Sequence, residues 1–361
     1  MPGRTVNFYR EPPLNPKVLI SQVSIDLLEL SHAAAKETLQ TGLHVGAWLT
    51  LFRQVLTSNS ELRWRDYGMG RGRELKRSFS NILGRFVARH HLEAREKLLE
   101  LVPIDGDPFK IGRLIVRRKT GHTGDLPDWI GCTASELVIG EAKGSHDRSN
   151  WALKASPHVK KPAVIEKATA QVERVEIVRS AGRSASFAFK SWSVGSRWAT
   201  EENGLDPWLV AIDPTQGEEP LPRHDFESAR RAIINYSNFL MLRTMGFVTS
   251  SDSIGTDVRI EQFYSPDALF AVRLSTGEAL SVSLHAIAGP FGFLPIRNRR
   301  DFRFVRIARR FAGQVALISL SEDRLTGAIT GSETRRRGGS VERNGVAFTL
   351  ISRESDLDIA D

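Results

Sequence analysis

Cysteine is almost absent from this 361-residue chain, which contains Cys132 alone. A single thiol excludes an intramolecular disulfide framework and a zinc site built from several cysteines. No run of about 18 apolar residues is present, so we expect no membrane-spanning helix. The N-terminal residues lack the apolar core of a secretory signal. Together these absences favour a globular protein in a reducing, cytoplasmic environment.

Several motifs that define common enzyme classes are also missing. The chain has no GxxxxGK[ST] phosphate loop, no G-x-S-x-G and no H-E-x-x-H. The adjacent His90 and His91 would face different directions on a helix, so they make a poor pair of metal ligands. The sequence therefore indicates neither a nucleotide-driven motor nor a hydrolase or zinc protease of those types.

Positive charge is in excess. Fifty Lys and Arg residues against 42 Asp and Glu residues give a net charge of +8 and a pI of about 9.8. A basic balance favours polyanionic partners, nucleic acid first. The hydrophobic content of 41% is ordinary for a globular protein, and the length leaves room for two domains.

Two short apolar segments between Gly124 and Ser145 predict a β-hairpin with acidic residues near its open end. A turn centred on Ala134-Ser135 places Asp128 opposite Glu141. Glu141 and Lys143 are two residues apart on the second strand and therefore share a face. Two facing carboxylates repel unless a cation lies between them. A divalent metal with oxygen ligands is the natural candidate.

Pro-Asp, followed about a dozen residues later by Glu-x-Lys at the end of an apolar strand, resembles the motif of the PD-(D/E)XK nuclease superfamily. The matching residues are Pro127, Asp128, Glu141 and Lys143. This resemblance implies an Mg²⁺ or Mn²⁺ ion held by Asp128, Glu141 and the carbonyl of Ala142. It implies that Lys143 lies near the attacking water and the scissile phosphate. The implied activity is a metal-dependent deoxyribonuclease, of a kind found in restriction and anti-phage defence.

The same resemblance implies two further positions. One is a helical Glu ahead of the first core strand, for which Glu93 is our choice and Glu74 and Glu96 are alternatives. The other is a Gln or Lys on the helix after Glu-x-Lys, in contact with the attacking water or the phosphate. Gln171 is our choice there and Lys167, four residues earlier on the same helix face, is the second. An ordinary exposed helix face would explain both residues as simply.

The order of apolar patterns predicts an α/β fold with a restriction-endonuclease-like core, an N-terminal helical region and a C-terminal β-rich domain. We assign residues 1–70 to an arm and a helical region, 71–215 to the nuclease-like domain and 223–361 to the β-rich domain. We expect the main helices over 73–95, 163–179 and 225–244. Leu75 and Ile82 belong to the apolar stripe of the first of these helices. Strands are expected over 98–104, 108–119, 184–198 and 208–212.

The C-terminal region has its densest basic stretch over residues 297–310. Arg303 and Arg306 are the candidates there for phosphate contacts, which would make nucleic-acid binding depend on salt. A solvated strand face is an equally good explanation. Three hypotheses remain open: a DNA nuclease, a nucleic-acid-binding protein with a degenerate nuclease fold, and a nuclease subunit that a protein partner activates through the C-terminal domain.

Overall fold

A computed structural model describes the backbone of residues 3–9, 21–38, 45–68, 70–146, 164–180, 186–202, 204–244, 248–250, 259–262, 271–273, 279–281, 305–311, 314–320, 324, 334–337 and 340–351. The helices are α1 (Leu27–Glu37), α2 (Val45–Val55), α3 (Arg73–Ala94), α4 (Val164–Val172) and α5 (Arg223–Thr244). The strands are β1 (Arg4–Tyr9), β2 (Ser21–Ile25), β3 (Arg63–Trp64), β4 (Glu100–Pro103), β5 (Phe109–Ile111), β6 (Leu114–Arg118), β7 (Trp129–Cys132), β8 (Leu137–Ser145), β9 (Val175–Arg179), β10 (Lys190–Arg197), β11 (Ala199–Thr200), β12 (Trp208–Ile212), β13 (Val248–Ser250), β14 (Arg259–Gln262), β15 (Ala271–Arg273), β16 (Ala279–Ser281), β17 (Val305–Phe311), β18 (Gln314–Leu320), β19 (Thr334–Arg337), β20 (Ser340–Arg343) and β21 (Val346–Ile351).

A seven-stranded mixed sheet with the order β2-β1-β12-β10-β8-β7-β4 forms the centre of the fold. The pairs β1–β12 and β8–β10 are parallel and the other neighbours are antiparallel. Alternate residues of β8 enter different apolar clusters, since Val138 packs with α1–α3 and Ile139 packs with α5. Helices therefore cover both faces of the sheet, which confirms the α/β class predicted from the sequence.

Two glycines let α3 contact the backbone of β8. A Cβ atom on Gly84 would lie 2.6 Å from the backbone nitrogen of Gly144, and a Cβ on Gly144 would collide with the carbonyl oxygen of Ser80. Only glycine tolerates such a close approach of two backbones. The crossing places Arg85, the next residue of α3, beside the open end of the β7–β8 hairpin.

Several sequence-based boundaries inside the first half of the chain are wrong. Residues 3–9 were expected in an arm, yet β1 joins the central sheet parallel to β12. The helix predicted over 163–179 ends at Val172, and β9 follows and pairs with β6. The β-branched residues of β9 favour a strand over a helix. The strand expected over 108–119 is instead the β5–β6 hairpin.

The predicted domain boundary at residue 223 does not separate two cores. On α5, Phe226, Ala229 and Ile233 are buried in the same apolar cluster as Ile130 of β7 and Ile139 of β8. Since α5 covers one face of the central sheet, it belongs to the first core. Farther along, β17-β18-β21-β20-β19 form an antiparallel sheet, in agreement with the β-rich character expected there.

The first half of α3 extends beyond the core. Leu75 and Ile82, predicted to face inward, are 45% and 40% exposed. Phe79 of the same segment packs against the core, whereas Leu75 and Ile82 lie on the part of the helix surface that the core does not cover. We call residues 73–82 the projecting half of α3. Within the described part of the chain, no helix is both long and apolar enough to cross a bilayer.

Candidate functional site

The β7–β8 hairpin has the register that the sequence predicts. Trp129 pairs with Gly140 and Cys132 with Leu137, so the pairing continues outward to Asp128 and Glu141. The turn is closed by a hydrogen bond of 2.9 Å from the N–H of Thr133 to the carbonyl of Glu136. The two acidic residues therefore meet on adjacent strands at the open end of the hairpin.

Asp128 and Glu141 are each tied to the backbone of the other's strand. The N–H of Asp128 donates to Oε2 of Glu141 at 3.0 Å, and the N–H of Ala142 donates to Oδ2 of Asp128 at 2.8 Å. These reciprocal bonds fix both carboxylates in orientation. The Glu141 side chain is only 1% exposed, so the site opens to solvent mainly through Asp128 and Lys143.

Burial makes the charged forms of both acids costly. Desolvation, followed by the nearby Asp128 carboxylate, raises the pKa of Glu141 to about 8. Desolvation also raises the pKa of Asp128, against the opposing effect of Arg85. Two carboxyl groups that share a partly dry site resist double ionisation. A cation at this position would relieve that penalty.

Lys143 lies on the same side of β8 as Glu141, as predicted, and is connected to α4. Its ammonium group donates to Oε1 of Glu141 and, at 3.0 Å, to Oε1 of Gln171. The amide nitrogen of Gln171 donates in turn to the carbonyl of Leu126 at 2.6 Å. Gln171 therefore links the Glu-x-Lys strand to the segment that leads into Asp128.

Arg85 and Glu37 belong to the site, although sequence reasoning did not place them there. Arg85 donates to Oδ1 of Asp128, and its Nε lies 2.5 Å from Oε1 of Glu37. Glu37 also accepts hydrogen bonds from Arg89 at 2.8 Å and from the Trp129 indole at 3.2 Å. The spacing of Arg85 one turn before Arg89 is a local signal for a shared helix face. Nothing local relates Glu37 to residues almost a hundred positions later.

Glu93, the helical acid chosen as a metal ligand, lies in a buried ionic cluster that Arg89 connects to Glu37. It binds Lys36 at 2.8 Å and Arg89 at 3.1 Å in the protein interior. Burial alone would raise the pKa of Glu93, but Lys36 and Arg89 hold it below the usual value. The same cluster includes Glu100, which is paired with Lys36 at 3.1 Å and with Arg324. Cations surround the carboxylates of this buried ionic cluster, although, among the described residues, Oε2 of Glu93 has only the Arg343 guanidinium nearby, at 3.8 Å. A buried, ion-paired carboxylate of this kind fits a structural role.

The alternatives to Glu93 contact other residues. Glu74 lies on the projecting half of α3 and is largely exposed, and Glu96 is paired with His91 at 3.4 Å. Among the residues the structure describes, no three His, Cys, Asp or Glu side chains form a group that could hold a metal. The expected third, helical ligand is thus not beside Asp128 and Glu141.

The structure describes the three residues proposed to contact nucleic acid to different extents. Lys167 is exposed on α4, one turn before Gln171, so both residues share the face predicted for them. Arg306 lies on β17, and the structure describes its backbone only. Arg303 lies outside the described residues.

The donor set suits a hard divalent cation with few protein ligands. Asp128 and Glu141 supply adjacent carboxylates, and Mg²⁺ needs only one or two of them because it keeps several waters. Their raised pKa values indicate a site that gains from a positive charge. Arg85 and Lys143 supply that charge in this structure.

Comparison with family models, with curated proteins and with solved structures gave no match for this chain. The basis for a function is therefore the chemistry of the site together with the motif resemblance in the sequence.

Proposed function

We propose that this protein is a metal-dependent nuclease that hydrolyses phosphodiester bonds, with DNA as the favoured substrate. The observation that carries the proposal is the meeting of Asp128 and Glu141 on adjacent strands, with Lys143 on the same side of β8. Restriction or anti-phage defence is the biological setting that the resemblance to PD-(D/E)XK nucleases implies.

Asp128 and Glu141 are the residues that would hold Mg²⁺ or Mn²⁺. When bound, such a cation would supply polarisation of the phosphate and a lowered pKa for a water molecule. The protein supports this arrangement by fixing both carboxylates through the backbone N–H groups of Asp128 and Ala142. Fixed ligands lose little entropy when they bind an ion, so the chemistry proceeds from a preorganised site.

Lys143 is suited to stabilise the negative charge that develops on the phosphate. Its ammonium group has three donors, and two of them are directed to Glu141 and Gln171. The third is available to a phosphate oxygen. In the reaction, a water molecule loses a proton to solvent and its oxygen forms a bond to phosphorus. The bond from phosphorus to the leaving oxygen breaks, and that oxygen takes up a proton from solvent. A fixed cation next to the phosphate lowers the barrier because the dianionic transition state attracts it more strongly than the substrate does.

Cleavage assays test the proposal. Supercoiled plasmid, linear duplex and single-stranded DNA would each be incubated with the full-length protein, with Mg²⁺, with Mn²⁺ and with EDTA. We expect cleavage to require a divalent ion. We expect Asp128→Asn and Glu141→Gln each to abolish cleavage. Both substitutions keep the size of the side chain and remove its charge. Cleavage that continues in EDTA, or in either variant, would contradict the assignment.

A nucleic-acid-binding protein without catalysis is the second candidate. The observation in its favour is that Arg85 and Lys143 already neutralise Asp128 and Glu141. This candidate predicts that divalent ions do not alter DNA binding and that no substrate is cleaved.

The third hypothesis is a nuclease that is inactive until a protein partner binds it. It predicts cleavage only after that partner is added, with the same dependence on Asp128 and Glu141.

A further inference from the structure

The projecting half of α3 is basic and open to solvent. Arg73 and Arg77 are exposed and Lys76 is half-buried, while Glu74 is the only acidic residue of this segment. The Arg73 side chain is 90% exposed and makes only a loose ion pair of 3.8 Å with Glu74. Within the described residues, the structure gives Arg77 and Lys76 no ion-pair partner. This positive charge is therefore available to a ligand.

Three arginines of α3 lead towards the candidate site. Arg73, Arg77 and Arg85 lie on one row of residues four apart, with the neutral Asn81 between the last two, and four helical residues rise about 6 Å. Residues at this spacing form a continuous ridge that winds slowly around the helix. Successive phosphates of one nucleic-acid strand are separated by a similar distance. The ridge ends at Arg85, which contacts Asp128.

The position of the ridge is set by the crossing of α3 over β8. Gly84 of α3 lies against Lys143 and Gly144 of β8. Arg77 is seven residues before Gly84 and Arg73 is eleven, which corresponds to about 10 Å and about 16 Å along the helix axis. These distances suit the first few phosphates on one side of a scissile bond.

We propose that the projecting half of α3 binds the phosphate backbone of one DNA strand and guides it to Asp128, Glu141 and Lys143. This inference rests on the proposed nuclease function for the direction of the strand, although the binding itself is independent of cleavage. Arginine suits the role because its planar guanidinium forms paired hydrogen bonds with phosphate oxygens. Arg71, two residues before the helix, is exposed, and its guanidinium lies 3.9 Å from the centre of the Tyr67 ring.

Charge reversal on α3 tests this surface. The double variant Arg73→Glu/Arg77→Glu would be compared with Lys110→Glu/Arg113→Glu, which changes the net charge equally. The control pair is exposed on β5 and just before β6. Affinity for a fluorescent duplex and for a single strand would be measured with the full-length protein, without divalent ions, over a series of salt concentrations. We expect the α3 variant to lose about tenfold or more in affinity and its salt slope to fall by about 2, since each lost phosphate contact removes about 0.9. The control should retain the wild-type slope.

Three outcomes would overturn the proposal. The first is a wild-type protein that binds no DNA, and the second is an equal loss in both double variants. The third is an α3 variant with wild-type affinity and slope, in which case the exposed Leu75 and Ile82 point to a protein partner instead. Unchanged melting temperatures of both variants would show that losses in affinity do not come from unfolding.

Failure of this proposal is distinguishable from failure of the nuclease proposal. If the wild type binds DNA through α3 but never cleaves it with Mg²⁺ or Mn²⁺, the nuclease proposal fails and the binding surface stands. If the wild type cleaves DNA and the α3 variant both binds and cleaves normally, the surface fails and the nuclease stands.

Discussion

Arg85 donates a hydrogen bond to Oδ1 of Asp128, while the N–H of Ala142 donates to Oδ2 of the same carboxylate. Both oxygens of the proposed metal ligand are therefore satisfied by protein donors. Arg85 is itself held by Glu37 at 2.5 Å and lies 4.7 Å from the centre of a Trp129 ring. A metal ion that binds Asp128 must compete with this guanidinium.

We expect Arg85→Met to lower stability without metal and to increase the stabilisation by Mg²⁺. The first effect follows because Asp128 and Glu37 lose a partly buried partner, at a cost of about 1–3 kcal/mol. The second follows because the ion no longer displaces a cation. Melting curves with and without Mg²⁺ would measure both effects. Arg117→Met is the control, since its ion pair with Glu176 is near the surface and should contribute less than about 1 kcal/mol. An Mg²⁺-dependent shift equal to that of the wild type would show that Arg85 does not compete with the ion.

Substitution of Lys143 should affect catalysis but not metal binding, whereas substitution of Asp128 or Glu141 should affect both. We expect Asp128→Asn and Glu141→Gln to lose both cleavage and the Mg²⁺-dependent rise in melting temperature, because a ligand that binds only the folded state stabilises it. Lys143→Met should lose cleavage but keep the Mg²⁺-dependent rise, since a cation does not hold a cation. Cleavage rates and melting curves would be measured on the same preparations. Wild-type cleavage by Lys143→Met would remove this residue from the mechanism.

The Mg²⁺-dependent stabilisation should increase with pH. Glu141 has a folded-state pKa raised to about 8 against an ordinary value of 4.5. Between these values the folded state binds a proton that the unfolded state has released, so the contribution of Glu141 to stability falls as the pH rises. Asp128, whose pKa is also raised, acts in the same direction. Mg²⁺ must displace these protons, so its effect should grow with pH and level off above about 8.

Denaturation of the wild type and of Glu141→Gln, at several pH values with and without Mg²⁺, would measure this coupling. The glutamine variant has no proton to exchange at this position, and its pH dependence over the same window should be smaller. A wild-type response to Mg²⁺ that stays constant across the window would contradict the proposed exchange of a proton for a metal ion.

Gln171 should affect the rate of the chemical step more than binding. It fixes the ammonium group of Lys143 and is fixed by the carbonyl of Leu126. We expect Gln171→Leu to reduce kcat by up to about 100-fold, because a catalytic group held loosely loses its alignment, while KM and the Mg²⁺-dependent melting shift stay near wild type. Lys167→Met, one turn earlier, serves as the comparison. It should change DNA affinity only, and an equal loss of kcat in both variants would argue against a specific role of Gln171.

The hairpin was predictable because the information that determines it is local. The apolar segments on either side of Ala134-Ser135 fix which residues pair, and a shift by one residue would turn Ile130 and Ile139 away from the core. The same register brings Asp128 to Glu141 and directs Lys143 to their side. Helix α3 was predicted almost to the residue, because its length leaves little ambiguity in its period.

Contacts between distant parts of the chain could not be predicted in this way. Glu37 reaches the site only because α1 and α3 pack together, and no spacing within the sequence encodes that pairing. The projecting half of α3 has an apolar pattern, yet its exposure depends on where the helix crosses β8. Residues 173–179 continue an apolar pattern that fits a helix, whereas the available edge of β6 makes the segment a strand.

The burial of Arg324 against Glu100 has a consequence for how the protein can be divided. A fragment that stopped at residue 222 would lack α5, would expose the apolar face formed by Ile130 and Ile139, and would leave Glu100 without one of its cations. Residues 1–222, which contain the proposed catalytic centre, should therefore not fold as an independent domain that could be fused to another binding domain. Fusion proteins should retain the chain at least through Arg343, whose guanidinium is bound to Glu29 of α1 at 2.9 Å.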